Sequence, residues 1–458
     1  MNFVIYHIII FVSVFSGINA FKLPPRKLPL YDKIFPKYEK REIDLLNVNG
    51  FYGLIGPNVN ISKTNNLFEF FTGDGMIQGV FIDEGEITPI IYKIKTEKRM
   101  FEKKNKMRFS RHFFMMPIYM ALHGMGLIPN ILGLSNTAIL NINSRIFTLF
   151  ERDFPYEVDV DFKDKKIRTM GKQYIENLKH FSAHSKYDKN NGLVHTIDYN
   201  VPFKRIQYSI LDENFDHIFR ENIKCRYFPI VHDFGLYGNK SVFTDSPICF
   251  KQNNIFLLKN PFVLDETSNT YINVYNSRID KLKTYVYENR GFYIFHYADI
   301  KEDNRKIEIM APIYDHLDFS SLDIEGKYRK LIIYKNTGKI EMDKNDELET
   351  MNLDFPIKWG QKVILRNVEN KSINGFVVCD GLKIEKKLFY KNICFCGEPQ
   401  LVNSEKTDYL INIGFKNGNM DDGYLFLIDM NRSNKIHEYK LNMPVNIGFH
   451  SIFISNEQ

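Results

Sequence analysis

From residue 42 onward the chain is a succession of short β-rich runs punctuated by Gly, Asn, Asp and Pro, and no other feature constrains its fold as strongly. Examples are GVFIDEG, AILNINSRIFTLFE, KLIIYKNTGKIEM, KVILRNV, GFVVCD, YLINIGF and GYLFLID. Such runs continue over 42–458 without an evident linker, which suits one closed radial assembly better than a string of sandwiches. Length does not decide the matter, because 458 residues at 44% apolar composition would also permit about two or three separate cores. No clean internal repeat is legible, so periodicity alone does not give a blade count.

The helical signal is concentrated in one region, roughly 100–133, where FSRHFFMMPIYMALHGMGLIPNILG is apolar with helix-like spacing. Pro117, Pro129 and several glycines break it too often for a bilayer span, leaving a buried element or an amphipathic patch that dips into a membrane face. Residues 1–20 are an apolar run ending in Ala20 and read as a secretory signal, although no Lys or Arg precedes the run. The following 21–41 segment is Pro-rich and basic and reads as a linker. The expected localisation is therefore the secretory pathway, with an uncleaved anchor or a two-part organelle address as alternatives. Sequons at Asn60, Asn239, Asn370 and Asn431 are compatible with it and are also expected by chance in an Asn-rich chain.

A formal charge of +6, from 61 basic and 55 acidic residues without a Lys/Arg block, argues against a nucleic-acid partner. Five cysteines make no disulfide framework, and buried free thiols are expected, Cys394 and Cys396 included.

The first motif cluster is NGFYGLIGPNVN at 49–60 followed by LFEFFTGDGMIQGVFIDEG at 67–85. Gly73, Gly75 and Gly79 around Asp74 read as a tight hairpin turn, with Phe70, Phe71, Val80 and Phe81 feeding strands on either side. Further segments follow in order: LSNTAILNINSRIFTLFERDFPYEVD at 134–159, FSAHSKYDKNNG at 181–192, VHDFGLYGNKSVFTDSP at 231–247, FHYADIKED at 295–303, GEPQLVNS at 397–404 and GFHSIFI at 448–454. Together these resemble the signature segments of the carotenoid-cleavage oxygenases, colinear over nearly the whole of 42–458.

The resemblance implies an all-β fold, a seven-bladed β-propeller with a helical, apolar cap region over one face. It also implies one Fe(2+) held by His184, His232, His296 and His450. These lie 48, 64 and 154 residues apart, so no local metal loop can unite them, and four chain segments must converge. A propeller axis allows this, because each blade sends its innermost strand there. In the family, carboxylates behind three of the histidines fix the ring orientation; Glu151 and Glu398 match those positions, and Asp354 stands where the family has a glutamate. Other departures are Ser185 for a proline, Asp299 and Ile300 for Asn-Ala, and Ser451 for a glycine. His180, four residues before His184, is a competing ligand, whereas His112, His123, His195 and His437 read as ordinary polar groups.

The implied activity is iron(II)-dependent dioxygenase cleavage of a C=C bond in a carotenoid, apocarotenoid or related polyene, with O2 as co-substrate and no catalytic side chain beyond the metal site. One alternative is a non-oxidative member like the retinoid isomerases, whose animal branch carries a Pro-Asp-Pro-Cys type segment absent from 109–134. Another is a secreted propeller that binds a partner after its metal site has decayed. The family places an apolar membrane-facing entrance at the segment containing Phe113, Phe114, Met115, Met116, Ile118, Tyr119, Met120 and Leu122. Here Lys103, Lys104, Lys106, Arg108 and Arg111 flank it, and peripheral membrane contact through 103–134 is expected.

Overall fold

The computed structural model describes residues 32–39, 43, 46–59, 72–109, 115–200, 203–251, 262–317, 324–370, 372–404, 407–432 and 435–456, with backbone alone at 116–117. The expected signal at 1–20, and Phe70, Phe71 and 110–114 with Arg111, His112, Phe113 and Phe114, lie outside the described residues, as do the side chains of Met116 and Pro117.

Among the described residues the strands form seven antiparallel sheets of four or more strands, plus one two-stranded ribbon. Blade 1 combines the last strand of the chain, Ser451–Ser455, with Gly50–Asn58, Asp74–Asp83 and Glu86–Lys93. Blades 2 to 7 follow in sequence at 138–172, 186–224, 235–287, 293–343, 353–389 and 393–440. The ribbon, Ile248–Phe250 with Phe262–Leu264, is an excursion from blade 4. Lys33–Ile34 and Tyr38–Glu39, within the segment read as linker, pair with Glu86–Lys93 at the outer edge of blade 1.

Closure of the ring is visible in the packing. A separate apolar cluster fills each of the seven contacts between neighbouring blades, including Leu54 and Ile82 of blade 1 against Ile411 and Leu427 of blade 7. Each buried Ile, Leu or Phe there contributes about 1.5–3 kcal/mol over exposure. Strands covered on both faces by neighbouring blades are buried throughout, as Gly50–Asn58 is, and so read as continuous apolar runs. Outermost strands such as His217–Lys224 alternate between covered and solvated positions and carry charges that discourage edge pairing.

The glycines at 73–79 do not form the expected hairpin turn. Asp74–Asp83 is already strand, and Gly75 is small because a Cβ there would lie 2.0 Å from the Ser135 carbonyl oxygen. Close backbone approach, not positive φ, explains the residue type.

The helical region is shorter than its apolar stretch: α1 spans Glu97–Lys104 and α2 spans Met116–Gly124. Thr96 caps α1, its hydroxyl accepting from Arg99 N–H, and Pro117 sits in the first turn of α2. Phe101 of α1 and Tyr119 of α2 pack with Phe109, Ile131 and Leu132 against Phe150, in the blade 2 turn that carries Glu151. A third helix, α3, is the single turn Asp346–Glu349. Among the described residues no helix is long and apolar enough to cross a membrane.

Candidate metal centre

The four histidines that the motifs single out meet on the propeller axis. His184 and His232 lie two and three residues before the innermost strands of blades 3 and 4, and His296 lies in the gap between Tyr293–Ile294 and Asp299–Glu302 in blade 5. His450 immediately precedes the innermost strand of blade 1. The ring centroid of His184 stands 4.2 Å from that of His232, 5.0 Å from His296 and 4.8 Å from His450. One ring nitrogen from each of His184, His296 and His450 falls within 4.8 Å of the others. The His232 ring stands beside this trio, 4.2 Å from that of His184 and 5.3 Å from that of His296, although its nitrogens do not come within the same 4.8 Å of all three.

Behind three rings stands a carboxylate. Glu151 Oε1 touches His232 Nδ1, Asp354 Oδ1 lies 2.8 Å from His296 Nδ1, and Glu398 Oε1 lies 3.3 Å from His450 Nδ1. An Nδ1–H held by a carboxylate leaves the Nε2 lone pair directed away from it, towards the axis. Nε2 of His184 and of His296 is buried and has no hydrogen-bond partner. Buried polar atoms are rarely left so, and two pointing into one group of imidazoles fit a cation that accepts their lone pairs. Burial lowers the pKa of both rings, so they are neutral and able to donate those lone pairs. For His232 burial pulls the same way, but Glu151 outweighs it and raises the pKa.

Local sequence explains the placements. Gly448 and Gly56 let the 446–450 segment thread between blades 1 and 7: a Cβ on Gly56 would lie 2.6 Å from Gly448 Cα. Gln78 grips Asn446 through its backbone carbonyl and N–H, and Phe449 N–H donates to Ile55. Glu398 occupies the gap between Ile393–Phe395 and Gln400–Asn403, where its carboxylate also accepts from Ser451 N–H and its carbonyl from the Ser451 and Tyr52 hydroxyls. Pro356 cannot donate to the ladder of blade 6, and the register breaks there between Asp354 and Ile357. Phe355 at that bulge has a φ of +53°, a strained value for a bulky residue.

The single-methylene departure at 354 therefore still produces direct contact with His296. The Asp354 carboxyl is raised by burial, yet His296, Tyr314 and Arg366 outweigh that and hold its pKa at about 2. The other departures also have partners. Ser185 Oγ donates to Ser182 O or Thr196 Oγ1, Asp299 pairs with Lys358, and Ile300 packs in the core between blades 4 and 5.

His180 is not in the cluster; its Nδ1 lies 3.2 Å from Asp198. His195 is buried against the Tyr208 hydroxyl, and burial lowers its pKa to about 4. His437 packs beside Tyr409, and His123 Nδ1 lies 3.1 Å from the Ile128 carbonyl. The five cysteines are free thiols, four of them buried.

Sequence reading gave no role to Phe295, Phe355, Tyr314 or Arg366. Phe355 stacks near His296 and His450, at 4.7 and 4.8 Å between centroids, Phe295 lies 5.4 Å from His232, and Tyr314 reaches Asp354. A local signal for the burial of Tyr314 existed: polar and apolar residues alternate along KIEI and give way to the apolar run MAPIY, which is continuously buried.

Comparison with known proteins bears on the family and the fold. The sequence pattern of the retinal pigment epithelial membrane protein family matches residues 46–455. The chain is 26% identical over 302 residues to the carotenoid 9,10(9',10')-cleavage dioxygenase 1 of Pisum sativum, covering 61% of this chain and 53% of that protein. It thus spans about half the length of that curated relative. The apocarotenoid oxygenase of Synechocystis superposes with a TM-score of 0.73 at 15% identity, over 94% of this chain and 97% of that one. The lignostilbene dioxygenase of Pseudomonas brassicacearum superposes with a TM-score of 0.74 at 14% identity, over 96% and 100%. These two share the fold, and the match over 46–455 places the chain in the retinal pigment epithelial membrane protein family, that of the carotenoid-cleavage oxygenases.

Proposed function

We propose that this protein is an iron(II)-dependent dioxygenase that splits one C=C bond of a carotenoid, apocarotenoid or related polyene, with O2, into two carbonyl products. One observation carries the reading: four imidazoles converge on the axis, two with buried Nε2 atoms that lack any partner, and three backed by carboxylates. In this reading His184, His232, His296 and His450 hold the iron, and Glu151, Asp354 and Glu398 aim three of them. Iron(II) bound there supplies O2 binding and the electron transfer needed to break the alkene, both oxygen atoms entering product. The chain supplies orientation and dryness, through the Phe295 and Phe355 rings packed against the histidines. No side chain acts as general acid or base.

Direct contact between Asp354 and His296 supports a working site rather than a decayed one. Incubation of the iron-loaded protein with polyenes under 18O2 tests the reading: one O2 consumed per alkene and 18O in both carbonyls is expected. Turnover without O2 would instead indicate the non-oxidative alternative, and absence of iron binding would remove the catalytic reading.

The proposal extends to peripheral membrane contact through 103–134. Ile118, Met125 and Leu127 are exposed beside exposed Lys103, Lys104, Lys106 and Arg108, the arrangement that an anionic bilayer surface receives. It also extends to the secretory pathway, read from residues 1–20; N-terminal sequencing of secreted protein starting at Phe21 tests that.

A further inference from the structure

We infer that Tyr314 is a positioning residue whose hydroxyl clamps Asp354 against His296, making up for the short carboxylate at that place; the inference rests on the metal-binding reading above. Tyr314 ends the strand Lys306–Tyr314 of blade 5, and Asp354 lies on Leu353–Trp359, the innermost strand of blade 6. The Tyr314 hydroxyl donates to Asp354 Oδ2 at 2.6 Å, while Oδ1 faces His296 Nδ1 at 2.8 Å. Each carboxylate oxygen therefore has its own buried partner on a different side. A carboxylate held at one oxygen only can rotate about its Cβ–Cγ bond, a broad and shallow torsion, and swing the other oxygen off the imidazole. Held at both, it cannot.

Tyr314 is itself confined. It is fully buried, its ring packs edge-on to Phe295 at 4.9 Å between centroids, and a Cβ on Gly326 would lie 2.9 Å from its ring and its hydroxyl. The other side of Asp354 is fixed by the bulge: Arg366, cross-strand partner of Asp354, lies 3.8 Å above the ring of Phe355, and that ring packs against His296. Tyr314 and the bulge thus hold Asp354 from two blades. The other two carboxylates are glutamates, and the second oxygen of Glu398 accepts from the backbone N–H of Ser451, the first residue of the innermost strand of blade 1. Asp354, the residue with least reach, is held instead by a side-chain hydroxyl, that of Tyr314 in blade 5.

Tyr314→Phe keeps the ring and removes the donor, so it tests the clamp with little risk to folding. Fe(II) affinity, measured anaerobically by competition with a chelator, is expected to fall about tenfold in Tyr314→Phe. Adding Asp354→Glu, whose longer side chain reaches the imidazole unaided, is expected to restore affinity to within about threefold of wild type. A second readout needs no metal: in the 15N-histidine spectrum of the metal-free protein, His296 is expected to hold one tautomer with the proton on Nδ1, and to populate both in Tyr314→Phe. Unchanged affinity and tautomer in Tyr314→Phe would overturn the inference. So would a loss that persists undiminished in the double variant, since a purely structural tyrosine would not be rescued by a longer carboxylate. If wild type takes up no iron, the iron reading fails while the tautomer comparison still decides the clamp.

Discussion

The axis and the cap are built by opposite means. On the axis, residues from distant parts of the chain are fixed by several independent contacts each: His450 is backed by Glu398, which Ser451 in turn holds, and its own segment is pinned by Gln78 and Ile55. In the cap, two short helices rest on one small cluster around Phe109, Ile131 and Leu132, and leave Met125 and Leu127 more than 60% exposed. A site that must hold four lone pairs on one point needs over-determination, whereas a surface that receives a greasy ligand or a bilayer needs only apolar area. Substitutions should accordingly be felt strongly at the axis and weakly in the cap.

The sharpest contrast is expected at Glu398. Glu398→Ala strips both His450 Nδ1 and Ser451 N–H of their acceptor, and should lower the unfolding free energy by about 3 kcal/mol in denaturant titration as well as weaken iron binding. A loss confined to iron affinity would mean that the axis is less braced than its contacts imply.

His195 extends the comparison to a histidine away from the axis. Its folded pKa is depressed to about 4, below the unfolded value, so its contribution is fully present above about pH 6.5 and is lost as the pH falls towards 4. Wild type should lose up to about 3 kcal/mol over that window through this group alone, and His195→Gln should flatten that part of the stability profile. An unchanged profile would show that His195 charges without cost.

These contrasts also explain what sequence could deliver. The histidines and Glu151, Asp354 and Glu398 were legible because each sits in its own motif, and the strands because their apolar runs are local. The number of blades was not legible without the resemblance, since closure depends on contacts such as Gln78 with Asn446, 368 residues apart. The 73–79 glycines were misread because close approaches, of Gly75 to the Ser135 carbonyl and of Gly79 to the Phe51 ring, leave the same local signal as a turn. The helical stretch was overestimated because apolar spacing cannot show where packing on Phe150 ends. Nothing local announced that Tyr314 would meet Asp354 across two blades.

At Asp354 the expected effect is smaller than at Glu398. Asp354→Asn keeps the shape but loses the charge that holds the His296 Nδ1 proton, and should weaken Fe(II) binding by about 10–100-fold in chelator competition. The smallest effect on the fold is expected in the cap: Leu127→Ser should leave stability within about 0.5 kcal/mol. It should nevertheless reduce sedimentation with anionic vesicles, and unchanged sedimentation would count against membrane contact through this face.

The most direct test of the central claim is metal analysis of the protein purified anaerobically and reconstituted with Fe(II), beside a His232→Ala control. The account predicts about one iron per chain in the wild type, with the metal lost from the control. No bound iron in the wild type, or equal iron in both proteins, would contradict it.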